Sequence, residues 1–189
     1  MNDTILILGN GKSRKSLDIS KYERIYGCNL AYEENINFEW IVATDVLIQH
    51  QIYRNYTGQC LFLDWEPIPS EMAVAFEAFD TQNESNDYTE YGCVISGEGN
   101  NTLMTYLRKE DQVISVKEER LPFLMAAGSL AMWHAAETGI SKIHLAGFGD
   151  NEHLHDQTLM DDNGRRLARW EQERKQIIKL YPDIDWKYL

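Results

Sequence analysis

The sequence predicts an α/β protein: a single Rossmann-like domain built on a mainly parallel sheet. Three observations carry that expectation. Short apolar runs alternate with helical patterns, which is how a parallel sheet covered on both faces is encoded. The first run, Ile5–Leu8, ends in the Gly-rich turn Gly9-Asn10-Gly11-Lys12-Ser13, the arrangement by which open α/β sheets build an anion pocket. Several later runs also end in Gly, Asn or Asp, at the place where such sheets bind ligands.

The elements follow in order. After the first strand, a short turn or helix is expected around Ser16–Tyr22. A second strand covers Glu23–Gly27 and ends at Cys28-Asn29, and a third, Trp40–Ala43, ends at Thr44-Asp45. A helix from Val46 to Tyr53 leads to a fourth strand, Cys60–Leu63. Residues 64–121 read as an insertion or lid within the domain, with a helix from Ser70 to Phe79, apolar runs at Cys93–Ile95 and Val113–Val116, and a turn at Gly97–Asn101. Long irregular stretches of that kind carry function more often than cores do. The run Leu130–Ala136 is apolar nearly all round, which predicts a buried helix opening at Ala126 and stopping at Gly139. A strand, Lys142–Ala146, then ends at Gly147-Phe148-Gly149-Asp150. A polar loop runs to Gly164. The last helix starts near Arg165, with Leu167, Trp170, Ile177, Ile178 and Tyr181 on one stripe, and Pro182 stops it. Ile184–Leu189 reads as an edge strand.

Composition narrows the function. A chain of 189 residues suffices for one domain with a sizeable core. The net charge of −12 argues against a nucleic-acid partner, which demands a basic face. No run is long and apolar enough for a membrane span, and no basic stretch followed by an apolar one opens the chain, so a cytoplasmic protein is expected. Cys28, Cys60 and Cys93 are odd in number and form no CxxC pair, consistent with reduced, buried thiols. Homo-oligomerisation is compatible with the sequence but not encoded in it.

The opening turn is neither of two familiar phosphate loops. A Walker A loop needs Gly five positions before Gly11, where Leu6 stands. A dinucleotide fingerprint needs a third Gly at the position of Arg14. An anion bound here must be attracted locally against the overall charge. Lys12, Arg14 and Lys15 lie beside the turn for that purpose, or else form a solvated first helical turn. Asn10 and Asn29 both donate and accept, which suits a base or ribose edge, although Asn, Asp and Gly are also what loops are made of. The expected nucleotide site comprises Gly9, Asn10, Gly11, Lys12, Ser13, Asn29, Asp45, Gly128, Ser129 and Asp150.

Two segments resemble the bacterial sialyltransferases of glycosyltransferase family 42. The first is Ile5–Leu8-Gly9-Asn10-Gly11-Lys12-Ser13 with Asp18, Gly27-Cys28-Asn29 and Tyr32. The second is Gly128-Ser129-Leu130 through Gly139 and Lys142–Phe148. The same segments occur in uncharacterised and phage-borne proteins related to archaeal-type 6-hydroxymethylpterin diphosphokinases. The resemblance covers about a third of the chain. It implies that Gly9, Asn10 and Gly11 lie against a donor nucleotide, that Asn29 contacts its ribose or phosphate, and that Gly128 and Ser129 lie beside the base. It also implies a general base from the segment after the penultimate strand, where this chain has His153 and His155. A neutral imidazole there can take the proton of an acceptor hydroxyl, and His155 is the preferred base. The departures are Ala127 in place of a Ser, Gly149 followed by Asp150-Asn151 in place of an Asp and a Tyr, and no counterpart of the family's phosphate-binding tyrosines.

Three functions follow as expectations. The first is a metal-independent glycosyltransferase that uses a nucleotide sugar as substrate, with no other cofactor. The second is a diphosphokinase-like transferase with a nucleoside triphosphate and Mg²⁺ held by acidic groups such as Asp45 and Asp150. The third is a non-catalytic protein that sequesters a nucleotide. The cluster Asp150, Glu152, His153, His155 and Asp156 fits no standard structural metal spacing.

Overall fold

The computed structural model describes residues 4–65, 93–96, 103–106, 112–149 and 165–189. Seven strands form one sheet: β1 (Thr4–Leu8), β2 (Arg24–Cys28), β3 (Trp40–Ala43), β4 (Cys60–Leu63), β7 (Val113–Val116), β8 (Lys142–Ala146) and β9 (Asp185–Tyr188). The order across the sheet is β7-β4-β3-β2-β1-β8-β9, and every neighbouring pair is parallel. This is the α/β, Rossmann-like arrangement that the alternating runs predict. The strands β5 (Cys93–Ser96) and β6 (Leu103–Tyr106) pair with each other, antiparallel.

Central parallel strands are buried on both faces, so they read as continuous apolar runs. β1 illustrates this: all five of its residues are buried. Ile5 and Ile7 face one cluster, with Leu130, Ala131 and Ala135 of α2 (Ala127–Glu137) and Ile177 of α3 (Arg165–Leu180). Leu6 and Leu8 face the other, with Ile52 and Tyr53 of α1 (Val46–Asn55). Among the described residues, no helix is long and apolar enough to cross a membrane.

Several expectations are refined. The short turn or helix expected around Ser16–Tyr22 is the 3-10 turn Ile19–Lys21, and a second 3-10 turn, Lys12–Ser16, precedes it. Asp18 separates them, because its carboxylate accepts the backbone N–H of Ser20 at 3.2 Å and so offers the chain an alternative to helix. Val113–Val116, read within the 64–121 stretch, pairs with β4 as the edge of the main sheet. α1 continues two residues past Tyr53. The buried Gln49 ties α1 to the sheet by donating to the carbonyls of Ala43 (3.1 Å) and Leu63 (2.7 Å), the last residues of β3 and β4. Gly139 follows α2 with φ +78°, the left-handed conformation that favours glycine at a helix end.

The topology positions the site. From β1 the chain adds strands outward through β2, β3, β4 and β7, then returns to place β8 on the opposite side of β1. The strand order therefore reverses between β1 and β8. Open α/β sheets carry their ligand crevice at such a switch point, outside the carboxyl ends of the strands.

Candidate functional site

A cleft, partly open to solvent, lies at that switch point. Its floor is Gly9-Asn10 after β1, Cys28-Asn29 after β2, and Gly147-Phe148-Gly149 after β8. One wall is the start of α2, Ala126–Ser129. The other is Leu167, Trp170 and Arg174 from α3.

The glycines let two strand ends interlock. Gly9 N–H donates to the Ala146 carbonyl at 2.8 Å and Gly11 N–H to the Gly147 carbonyl at 3.0 Å. A Cβ on Gly9 would stand 2.5 Å from the Gly147 oxygen, and one on Gly128 would stand 2.6 Å from Cε1 of Phe148. The turn is thus fastened to the end of β8, and the N–H groups of Gly9 and Gly11 are engaged there. The basic residues beside it divide. Arg14 turns inward and is buried, with Nη1 donating to Glu34 Oε2 at 2.8 Å and Nη2 to Oε1, while Lys15 stays exposed. Arg14 is therefore a strut between the first turn and the 3-10 turn that follows β2 (Asn29–Glu33), not a surface cation waiting for an anion.

Asn29 adopts φ +52°, a left-handed conformation that Asn tolerates better than most residues, and it lines the cleft. Burial pushes the neighbouring Cys28 thiol up to about 12, against the pull of Arg14, so this cysteine is a neutral wall group. α2 begins at an Ala126 N-cap with no side chain to cap its first turn. The Ala126 N–H donates to the buried Glu173 carboxylate at 2.8 Å, and Arg169 Nε donates to the other oxygen of that carboxylate at 2.8 Å.

Of the nucleotide-site residues expected from sequence, Gly9, Asn10, Asn29, Gly128 and Ser129 line the cleft together. Gly11, Lys12 and Ser13 are not among its lining residues. Asp45 is the N-cap of α1, its Oδ1 accepting from the N–H groups of Leu47 (3.0 Å) and Ile48 (3.2 Å). This capping need accounts for an Asp at the end of β3. Asp150, His153 and His155 lie outside the described residues. His134 and His144 sit in α2 and β8, away from the cleft lining.

Sequence reasoning missed the α3 wall. Leu167 and Trp170 belong to a stripe that reads as core. Arg174 falls on the same stripe, four residues after Trp170 and three before the buried Ile177. A guanidinium in an apolar stripe was the available signal.

Among the described residues, three buried polar atoms of the cleft lining have no hydrogen-bond partner: Asn10 Oδ1, Ser129 Oγ and Arg174 Nε. Ser129 is 1% exposed and Arg174 7%. Comparison with protein-family models, curated proteins and solved structures finds no match to this chain.

Proposed function

We propose that this protein binds a nucleotide in the switch-point cleft and transfers the glycosyl group of a nucleotide sugar. The observation that carries the binding reading is that three residues lining one cleft, Asn10, Ser129 and Arg174, each hold a buried polar atom with no hydrogen-bond partner among the described residues. Each buried polar atom left unsatisfied costs about 1–3 kcal/mol. A polar ligand that meets all three offsets that cost. Phe148 and Trp170 add aromatic surface against which a base or sugar ring can pack, and Asn29 brings a second amide to the same space.

The proposed reaction rests on the resemblance to family 42 in the segments that supply Gly9, Asn10, Asn29, Gly128 and Ser129. In this reading His155, or His153 beside it, takes the proton of the acceptor hydroxyl as that oxygen attacks the anomeric carbon and the nucleotide leaves. The lack of the family's phosphate-binding tyrosines in the sequence favours a second reading, sequestration of a nucleotide without turnover.

Thermal denaturation with CMP, UDP, GDP, ATP and NAD, each with and without Mg²⁺, tests the binding reading. A ligand at about a hundred times its Kd adds ~2.7 kcal/mol of stability, and Asn29→Ala is expected to reduce that gain. No response to any of the five overturns the reading. Metal-independent binding with slow donor hydrolysis, lost in His155→Ala, supports glycosyl transfer. Tight binding without hydrolysis supports sequestration, and a response that requires Mg²⁺ supports a diphosphokinase-like enzyme.

A further inference from the structure

We infer that Arg174 is the phosphoryl-recognising group of the cleft, so that its ligands are phosphorylated compounds and the matching neutral nucleosides bind poorly. This inference rests on the nucleotide reading above and deepens it.

Arg174 is 7% exposed, and its Nε has no hydrogen-bond partner among the described residues. Among the described residues its guanidinium forms no ion pair. Its contact is the Phe148 ring, 5.6 Å from the guanidinium carbon to the centroid. The carboxylates nearest in sequence are committed elsewhere. Glu173 accepts from Ala126 N–H and Arg169. Glu171 pairs with Lys175 at 2.6 Å on the exposed side of α3 and feels the charge of Arg174 only through space, without an ion-pair contact. A cation–π contact holds a guanidinium in place, but it does not satisfy the N–H donors that a buried cation needs.

The opposite wall supplies matching donors. The first turn of α2 has no side-chain cap, and an eleven-residue helix presents its positive end there. Ser129, in that turn, keeps a buried hydroxyl without a partner among the described residues. None of the described residues that line the cleft is acidic, in a chain of net charge −12. A guanidinium, a hydroxyl and an uncapped helix start around one space form a donor set for a compact anion with several acceptor oxygens. A phosphoryl group is such an anion, and planar guanidinium donors suit it. The same site discriminates against a neutral ligand, because Arg174 would then remain buried and unpaired.

The test is isothermal titration calorimetry of the whole protein with CMP, UMP, GMP and AMP, their nucleosides, and inorganic pyrophosphate. Arg174→Gln is expected to weaken the best-bound monophosphate by roughly 10- to 100-fold, the worth of a charge-assisted hydrogen bond. The affinity of the matching nucleoside is expected to stay unchanged within error. Unchanged monophosphate affinity overturns the inference, as does equal weakening of nucleotide and nucleoside. If no nucleotide binds, the nucleotide reading fails while Arg174 is still tested: pyrophosphate binding that Arg174→Gln abolishes sustains its role, and its absence ends it. If Arg174→Gln does not fold, Arg174→Lys replaces it, keeping the charge without the planar fork. A loss confined to the phosphorylated ligand sustains the inference, and any other pattern overturns it.

Discussion

The Glu173 carboxylate accepts the backbone N–H of Ala126, so the helix forming one wall of the cleft is fastened to the start of the helix forming the other. Glu173→Ala leaves a partly buried N–H unpaired and removes the partner of Arg169. A stability loss of about 1–3 kcal/mol is expected from urea denaturation. Hydrogen exchange at Ala126 is expected to quicken in the same variant. Glu173→Gln, whose amide oxygen still accepts, should lose less.

Gly9 and Gly128 have different tolerances because a new methyl meets different obstacles. On Gly9 it strikes the Gly147 carbonyl at 2.5 Å, backbone that is itself hydrogen-bonded to Gly11. Gly9→Ala is therefore expected to cost about 1–3 kcal/mol, as overpacking does, and to lower ligand affinity by parting the β1 and β8 strand ends. On Gly128 the methyl meets the Phe148 ring edge at 2.6 Å, the end of a side chain that can swing. Gly128→Ala should unfold later than Gly9→Ala in a thermal melt, with its main effect on ligand affinity through displacement of the ring under Arg174.

The strands were legible because a parallel sheet writes itself as apolar runs bounded by turn residues. Ile5–Leu8, Trp40–Ala43 and Lys142–Ala146 needed no tertiary knowledge. The floor of the cleft was legible for the same reason, since strand-end rules pick out Gly9, Asn10 and Asn29. What escaped depends on which way a side chain turns. Arg14 reads as a surface cation, yet Glu34, twenty residues away, draws it inward. Asp45 reads as a site carboxylate, yet the N–H groups of Leu47 and Ile48 claim it. Arg174 stands in a stripe whose other members are apolar, and the period that marks a buried face does not say whether that face meets core or cavity.

Acid is expected to destabilise the protein through His134. Its ring packs against Trp40 and lies beside Tyr26, and burial holds its pKa below 6.5, with Glu39 and Glu137 pulling upward and Arg24 downward. Unfolding releases the imidazole to its ordinary value, so the unfolded chain takes up a proton that the folded protein refuses. The stabilisation is complete above pH 6.5 and is lost as pH falls from there to the lowered folded pKa. Urea midpoints at pH 7, 6 and 5 should fall in sequence, and His134→Phe should flatten the trend. A residual slope is expected from His144, whose pKa burial also lowers and whose Nδ1 meets the Tyr22 hydroxyl at 2.6 Å.

The return of the chain to β1 has a consequence for when the cleft comes into being. β1 leaves the ribosome before the other strands of the sheet, yet its neighbour β8 belongs to the last third of the sequence, and Arg174 follows later still. Until that closure the Gly9-Asn10 turn has no opposite bank, so a nascent chain cannot hold a ligand there at any stage before its C-terminal helix docks. Pairing between segments so distant is slow to find, and for the same reason a bound ligand would bridge segments far apart in the chain, acting as a latch on the whole sheet.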